Sequence, residues 1–372
     1  MSFTQEVLCK ALQERRLLCE DVQQAHQNTL LKANKKALNG WTVSLGDNLL
    51  FDLAGLQEIA KAIQNYQGKA NYLKFKLKLS TETVRDYYSH SFYLKDGLLE
   101  LPIIAKKPSS KPKPQIKETL LISLNELSTE IHYPLSLTPP DINRTPLALL
   151  VPYSCDHDCL FANQIAIFSS LNQCIRRSPT TWLRAFFYRR KISLNRRISL
   201  SWKQQHSSAD IHPTAIIEGS VIGKGCRIGA YCVVRYSVLG ENVVLHDGAK
   251  VEYSVVDDKS WLMHDLVLYR SLTETNVFLI HGPYQFSYFQ KQSAAFANIM
   301  MDYRPDNKPI RINTPKGIRD YQGRFLGALL GEKARVFGGT LTAPGITIPQ
   351  GKEIFCSVDA ITTAKKLKYE KV

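Results

Sequence analysis

Residues 220–287 read SVIGKGCRIGAYCVVRY, SVLGENVVLHDGAKVEY, SVVDDKSWLMHDLVLYR and SLTETNVFLIHGPYQFS, four consecutive lines of 17 residues that each open on Ser and then Val or Leu. Within the lines a large apolar residue recurs about every six positions: Ile216, Ile222, Ile228 and Val234, then Leu239, Leu245 and Val251. Seventeen divides as 6 + 6 + 5, so each line is three short strands with a turn between each pair. Such a period makes a solenoid, in which every coil pairs its backbone with the coils above and below. Val, Ile and Leu fill the interior, and Gly223, Gly229 and Gly240 fall at its corners. The register breaks between Tyr288 and Arg324 and resumes at Leu330, Val336, Thr342 and Ile348, again six apart. The pattern predicts a parallel β-helix over residues 209–356.

Outward from this repeat, residues 1–158 read as a mixed α/β domain, 159–208 as a basic helical connector and 357–372 as a basic tail. Residues 1–38 look helical, TVSLGDNLLF (42–51) reads as a strand running into a turn, and DLAGLQEIAKAIQNY (52–66) as an amphipathic helix. YLKFKLKLS (72–80) alternates apolar and basic residues as a half-exposed strand does. KKPSSKPKPQIK (106–117) is a linker or exposed loop, and LFANQIAIFSSLNQCIRR (160–177) a helix.

The 372 residues are 44% hydrophobic and 22% charged, which excludes a disordered chain, a collagen and a small disulfide scaffold. No apolar run approaches the ~20 residues of a membrane helix. The opening MSFTQEVLCKALQERR lacks an apolar core with a cleavage site, so secretion is not expected. The eight cysteines read as reduced thiols, which places the protein in the cytoplasm. The net charge is +15, and Cys159 to Ala209 holds no acidic residue but nine basic ones, among them Arg176, Arg177, Arg184, Arg189, Arg190 and Lys191. Such a segment attracts anions, from phosphosugars to acidic lipid headgroups. WLRAFFYRRK (182–191) mixes aromatics with Arg, so the segment reads either as a peripheral membrane contact or as a solvated connector that is simply basic. No nucleic-acid module is visible, so nucleic acid is not an expected partner.

Residues 17 apart should lie on adjacent coils, roughly 4.8 Å apart along the axis. That stacks His264 against His281, with His246 one position off, and aligns Arg235, Glu252, Tyr269 and Phe286, so three imidazoles should cluster on neighbouring coils with Arg235 nearby. A neutral imidazole at a coil corner can take a proton from an attacking amine or hydroxyl. An Arg can hold a phosphate bidentately. His246, His264 and His281 would be zinc ligands only if all three converge, and a histidine at a corner is more often a plain surface residue. Cys155-Asp156-His157-Asp158-Cys159 is ligand-rich but lacks a second ligand pair.

Several segments resemble, in order, the left-handed parallel β-helix (hexapeptide-repeat) domain of sugar-1-phosphate nucleotidylyltransferases, in particular the bifunctional N-acetylglucosamine-1-phosphate uridylyltransferase/glucosamine-1-phosphate N-acetyltransferase and its archaeal relatives. IGAYCVVRYSVLGENVVL (228–245) is similar to the coil whose Arg binds phosphate, which falls on Arg235. SWLMHDLVLYRSLTETNV (260–277) is similar to the segment of the acetyltransfer base, which falls on His264; His281, stacked on it by the 17-residue count, is a substrate-binding candidate. ANIMMDYRPDNKPIRI (297–312) places Asn298 in the acceptor or acetyl site. GALLGEKARVFGGTLTAPGITIPQG (327–351) is similar to the coils lining the acetyl-CoA channel, around Gly339 and Ala343. CLFANQIAIFSSL (159–171) resembles the helix that joins the two domains.

The resemblance implies a homotrimer with active sites between subunits, an acetyl-CoA or acyl-CoA donor, a phosphosugar or nucleotide sugar acceptor, and a place in envelope biosynthesis. It is incomplete: Val267 replaces a Tyr, Glu252 a phosphate-binding Lys, and Tyr269-Arg270 a Gly-Asp. SLGDNLLFDLAGLQEIAKAI (44–63) and LLELPIIAKKPS (98–109) resemble a metal-Asp strand and a Glu-Lys-Pro strand, with Asp47 in the metal position. The Gly-rich nucleotide loop is absent from residues 1–60, so the first domain reads as a degenerate nucleotidylyltransferase, needing Mg²⁺ only if that activity survives. Two alternatives to an acyltransferase stand beside it: a β-helix scaffold without chemistry, and a surviving nucleotidylyltransferase.

Overall fold

The computed structural model describes residues 41–45, 49–51, 53–78, 98–107, 116–123, 126–128, 144–146, 150–152, 156–157, 160, 167, 179–187, 197 and 201–357, the last without 307, 315–316 and 322–324. Residues 1–38, the Pro/Lys-rich stretch 108–115, Asp47, Cys155, Asp158, Cys159, most of 160–177 and nearly all of the tail lie outside them.

In the first domain Leu53–Gln64 is helical, as its apolar spacing predicts, and buries Ile59 and Ile63. Thr42–Leu45, Leu98–Lys106, Tyr72–Lys78 and Lys117–Ser123 form one mixed sheet in that order. Tyr72–Lys78 alternates as expected: Leu73, Phe75 and Leu77 are fully buried while Lys74 and Lys78 reach water. Its pairing with Lys117–Ser123 is parallel and in register along all seven residues.

The second half is a parallel β-solenoid of eight rungs, whose coils wind through three sheets. Face I runs from Asp210–Ile211 to Glu353–Ile354, face II from Ile216–Glu218 to Tyr284–Gln285, and face III from Gln204–Gln205 to Thr347–Ile348. The register is that of the repeat: Ile228 pairs with Leu245, Leu245 with Leu262, and Leu262 with Leu279. The interior is a column of fully buried Val, Leu and Ile, each of which contributes roughly 1.5–3 kcal/mol over exposure. On face II the inward column is Ile217, Val234, Val251 and Leu268, so Ile217, not Ile216, fills the core. Ile216 is 43% exposed because the 17-residue coil leaves one side short and six-residue counting drifts across it.

The opening serines are the seam of the solenoid. Ser220, Ser237, Ser254, Ser271 and Ser287 stack with no exposure. Each Oγ accepts from the amide of the next: Ser237 to Ser220 at 3.1 Å, Ser254 to Ser237 at 3.1 Å, Ser271 to Ser254 at 3.0 Å, and Ser287 to Ser271 at 3.1 Å. The last link is 16 residues long, not 17, so the fourth coil is one residue short. The loss falls between Leu279, which still pairs 17 back with Leu262, and Tyr284, which pairs 16 back with Leu268.

The corners also differ from expectation. Gly223, Gly229 and Gly240 are needed for close approach rather than for positive φ: a Cβ on Gly223 would lie 2.3 Å from the Gly240 carbonyl oxygen of the next coil. Most left-handed corner positions carry side chains, including Tyr236, Tyr253, Arg270 and Phe286 between faces II and III. The break in the repeat is shorter than the sequence suggests. Ala294–Phe296 and Ile299–Met300 remain in the solenoid, and the excursion begins at Asp302. It carries an antiparallel hairpin, Ile310–Thr314 with Gly317–Tyr321, and closes where the Leu326 amide bonds the Asp302 carbonyl.

The three faces have different outer surfaces. On face III the outward Val221, Val238, Val255, Leu272, Tyr288 and Leu329 are all at most 5% exposed, so this face is covered. Asp156, from well before the solenoid, accepts a hydrogen bond from Gln290 beside it. Faces I and II retain exposed apolar residues, with Trp261 49% and Phe355 63% exposed on face I.

Candidate active site

Each coil passes from face I to face II through a corner. In successive coils these corners are His246-Asp247-Gly248, Met263-His264-Asp265, Ile280-His281-Gly282, Phe296-Ala297-Asn298 and Phe337-Gly338-Gly339. His246, His264, His281, Asn298 and Gly339 therefore share one edge of the solenoid.

The two lower histidines touch. The His246 and His264 rings lie 4.7 Å apart and tilted by 58°, and Trp261 lies 6.0 Å from His246. His264 is exposed. His246 is half-buried, and its Nε2 is shielded without a hydrogen-bond partner. The corner beneath is firmly held: the His246 amide donates to Leu262 O, and the Asp265 amide to Asp247 O. Asp247 Oδ1 accepts from the Ala230 amide one coil lower. An exposed imidazole on a fixed backbone, packed against a second ring, can accept a proton from an incoming nucleophile.

His281 does not stack on His264 as 17-residue counting expects. The missing residue of the fourth coil moves the left-handed corner position onto His281 itself (φ 58°), where the coil below has Asp265 (φ 54°). Among the described residues the ring that meets His264 is His246. No three His, Cys, Asp or Glu side chains among the described residues gather to hold a metal ion. The convergence that a zinc set of His246, His264 and His281 would need is therefore not formed, in keeping with the reading of plain surface histidines.

Asn298 faces inward at 5% exposure, and its Nδ2 donates to Val336 O at 3.0 Å. That bond ties the coil before the excursion to the coil after it. The Asn298 Oδ1 is buried without a partner. Gly339, three rungs along the edge from His264, has φ 75° and donates its amide to Ala297 O. At the rung spacing this is about 14 Å from the His264 corner. Beside it Phe296, Phe337 and Phe355 stack at 5.1 Å and 4.4 Å, nearly parallel. Ala343 is exposed but belongs to the other end of face II, near Gly345.

Arg235 is also at that other end, away from the histidines. Its Nε donates to Glu218 and its Nη1 to Glu252, both at 2.9 Å. The column it joins continues through Glu252 and Tyr269 to Gln285; the short coil puts Gln285 where Phe286 was expected. Arg270, missed by sequence reasoning, is 6% exposed and lies 5.6–5.9 Å over the rings of Tyr253, Tyr269 and Phe286. The aromatic residues recurring at the ends of the lines were its visible signal. Cys226 and Cys232 face the interior, and burial pushes both thiols up to about 11, so neither is a nucleophile at neutral pH.

No protein family matches the chain, and no curated protein does. Among solved structures it is similar to a hexapeptide transferase family protein from Anaplasma phagocytophilum, at 16% identity, covering 41% of this chain and 72% of that one, with TM-score 0.21. It is also similar to PerB from Caulobacter crescentus, solved with CoA and GDP-perosamine, at 14% identity over 41% of this chain and 52% of that one, TM-score 0.13. The acetyltransferase domain of PglB from Neisseria gonorrhoeae matches at 19% identity over 42% of this chain and 51% of that one, TM-score 0.11. The chain thus spans about half of the last two, and at these scores the likeness carries no statement about its own chemistry.

Proposed function

We propose that this protein is an acyltransferase that moves an acetyl or acyl group from CoA to the amine or hydroxyl of a phosphosugar or nucleotide sugar, with His264 as general base. The observation that carries this reading is the exposed His264 ring, held against His246 on an edge that also bears Gly339 and the Phe296, Phe337 and Phe355 stack. The donor supplies an activated thioester carbonyl. The acceptor amine or hydroxyl forms the new bond to that carbonyl carbon, a ring nitrogen of His264 takes its proton, and the C–S bond breaks with the proton returning to the thiolate. The exposed Gly338-Gly339 backbone, bare of side chains, and the adjoining aromatic stack suit an extended, largely apolar donor arm. In this reading the protein works as a homotrimer, and the apolar outer surface of face I, around Trp261 and Phe355, supports self-association.

His264→Ala should lower CoA release from acetyl-CoA by about 10²–10⁴-fold in the presence of an amino-sugar phosphate or nucleotide-sugar acceptor, with the melting temperature unchanged. Turnover equal to that of the native protein removes His264 from the reaction.

One observation favours a second reading, a binding scaffold without chemistry: two carboxylates already neutralise the Arg235 guanidinium, so an acceptor phosphate there would meet a net negative charge. If CoA and nucleotide sugars all fail to raise the melting temperature, the scaffold is the better account.

A further inference from the structure

The helix Pro179–Phe186 turns its apolar side to water. Trp182 is 47% exposed, Leu183 63%, Phe186 77% and the adjoining Phe187 71%, while Ala185 is fully buried. Positions 182, 183, 186 and 187 fall on one face at helical spacing, and Ala185 seats the opposite face on the protein. A helix that serves the core does the reverse. Phe186 and Phe187 pack edge to face at 5.5 Å, forming one apolar knob rather than scattered side chains.

Along the sequence, the charge on either side of this helix is of one sign. Arg184 is exposed within the helix, Arg176 and Arg177 precede it, Arg189, Arg190 and Lys191 follow it, and the nearest acidic residues in sequence lie before Cys159 and after Ala209. We propose that the Trp182–Phe187 face, with its flanking arginines, docks this protein onto an anionic lipid surface. Aromatic and Leu side chains enter the boundary between headgroups and acyl chains, Trp sits at that interface, and Arg pairs with lipid phosphates. Charge complementarity chooses the partner. A segment of about 50 residues without an acid suits a continuous anionic plane, whereas the apolar knob gains little from the phosphates of a nucleic acid. At eight residues the helix is far short of the ~20 that span a bilayer, so its contact is peripheral. The proposal is independent of the acyltransferase reading: His264→Ala should bind vesicles like the native chain.

The test is sedimentation of the full chain with phosphatidylcholine vesicles, with and without phosphatidylglycerol. Binding is expected only with the anionic lipid and should weaken as salt rises. Phe186→Ser with Phe187→Ser should lower partitioning by at least about tenfold while the melting temperature holds. Brominated lipid should quench tryptophan emission in the native chain and not in Trp182→Phe. No binding to anionic vesicles, undiminished binding by the double Phe variant, or quenching that persists in Trp182→Phe would each overturn the proposal. So would polyuridylate binding that anionic vesicles fail to displace.

Discussion

Ser237→Ala should cost the solenoid about 2 kcal/mol. The Ser254 amide is buried, and its acceptor is Ser237 Oγ at 3.1 Å. The same hydroxyl donates to Arg235 O at 2.7 Å, with Val251 O 3.2 Å away. Replacing Ser by Ala removes one oxygen and adds no bulk, so no overpacking obscures the result. The Arg235 carbonyl keeps its bond from the Tyr253 amide, so losing the hydroxyl leaves it paired. The Ser254 N–H is left in the interior with no water to replace the lost oxygen. An orphaned buried donor costs about 1–3 kcal/mol. For a unit of this size that is a fall of about 4–8 °C in melting temperature. Urea unfolding followed by circular dichroism gives the energy, and amide hydrogen exchange gives the site, since Ser254 should lose protection while amides several coils away keep theirs. A loss under about 0.5 kcal/mol with the Ser254 amide still protected would refute the claim that the serine ladder is a stabilising seam.

Other outcomes follow from the same geometry. Gly223→Ala should destabilise by about 1–3 kcal/mol in urea unfolding, because the added Cβ meets backbone 2.3 Å away. Gly351→Asn should be close to neutral by the same measurement, since its φ of 66° is one that Asn242 already adopts and an added Cβ meets nothing within 4 Å. Cys226 and Cys232, with thiols pushed up to about 11, should resist a disulfide reagent at pH ~8 until the chain is denatured; labelling at the rate of free cysteine would contradict their burial. Burial raises the Asp302 carboxyl above its ordinary 3.8, so the folded state holds its proton longer than the unfolded state. Stability should therefore fall as pH rises through that raised value, and Asp302→Asn should flatten this part of the urea-midpoint profile.

Much of the solenoid is legible in one dimension because its contacts are periodic. A backbone that pairs with itself 17 residues on repeats its environment, so the Ser column and the inward Leu and Val columns can be counted off along the chain. Counting fails where the period does. One residue is missing between Leu279 and Tyr284, and two stacking expectations fail with it, His281 over His264 and Phe286 after Tyr269. The nearness of His246 to His264 was legible, since 18 residues is one off the period, whereas the ring contact itself is made by side-chain direction at the corner. Ion pairing is likewise local. Arg235 read as a phosphate ligand by its place in a segment, yet Glu218 and Glu252, one coil to either side, neutralise it.

The sequence alone determined that residues 220–287 coil, which side chains fill the interior, and that a stretch of single-sign charge joins the two halves. Tertiary structure decided where the coil shortens, that His264 meets His246 rather than His281, that face III is covered, and that the helix Pro179–Phe186 presents its aromatics to solvent. The physical reason is one of direction. A repeat fixes neighbours along the axis through backbone hydrogen bonds, while corner dihedrals and the packing of one element on another fix where each side chain points.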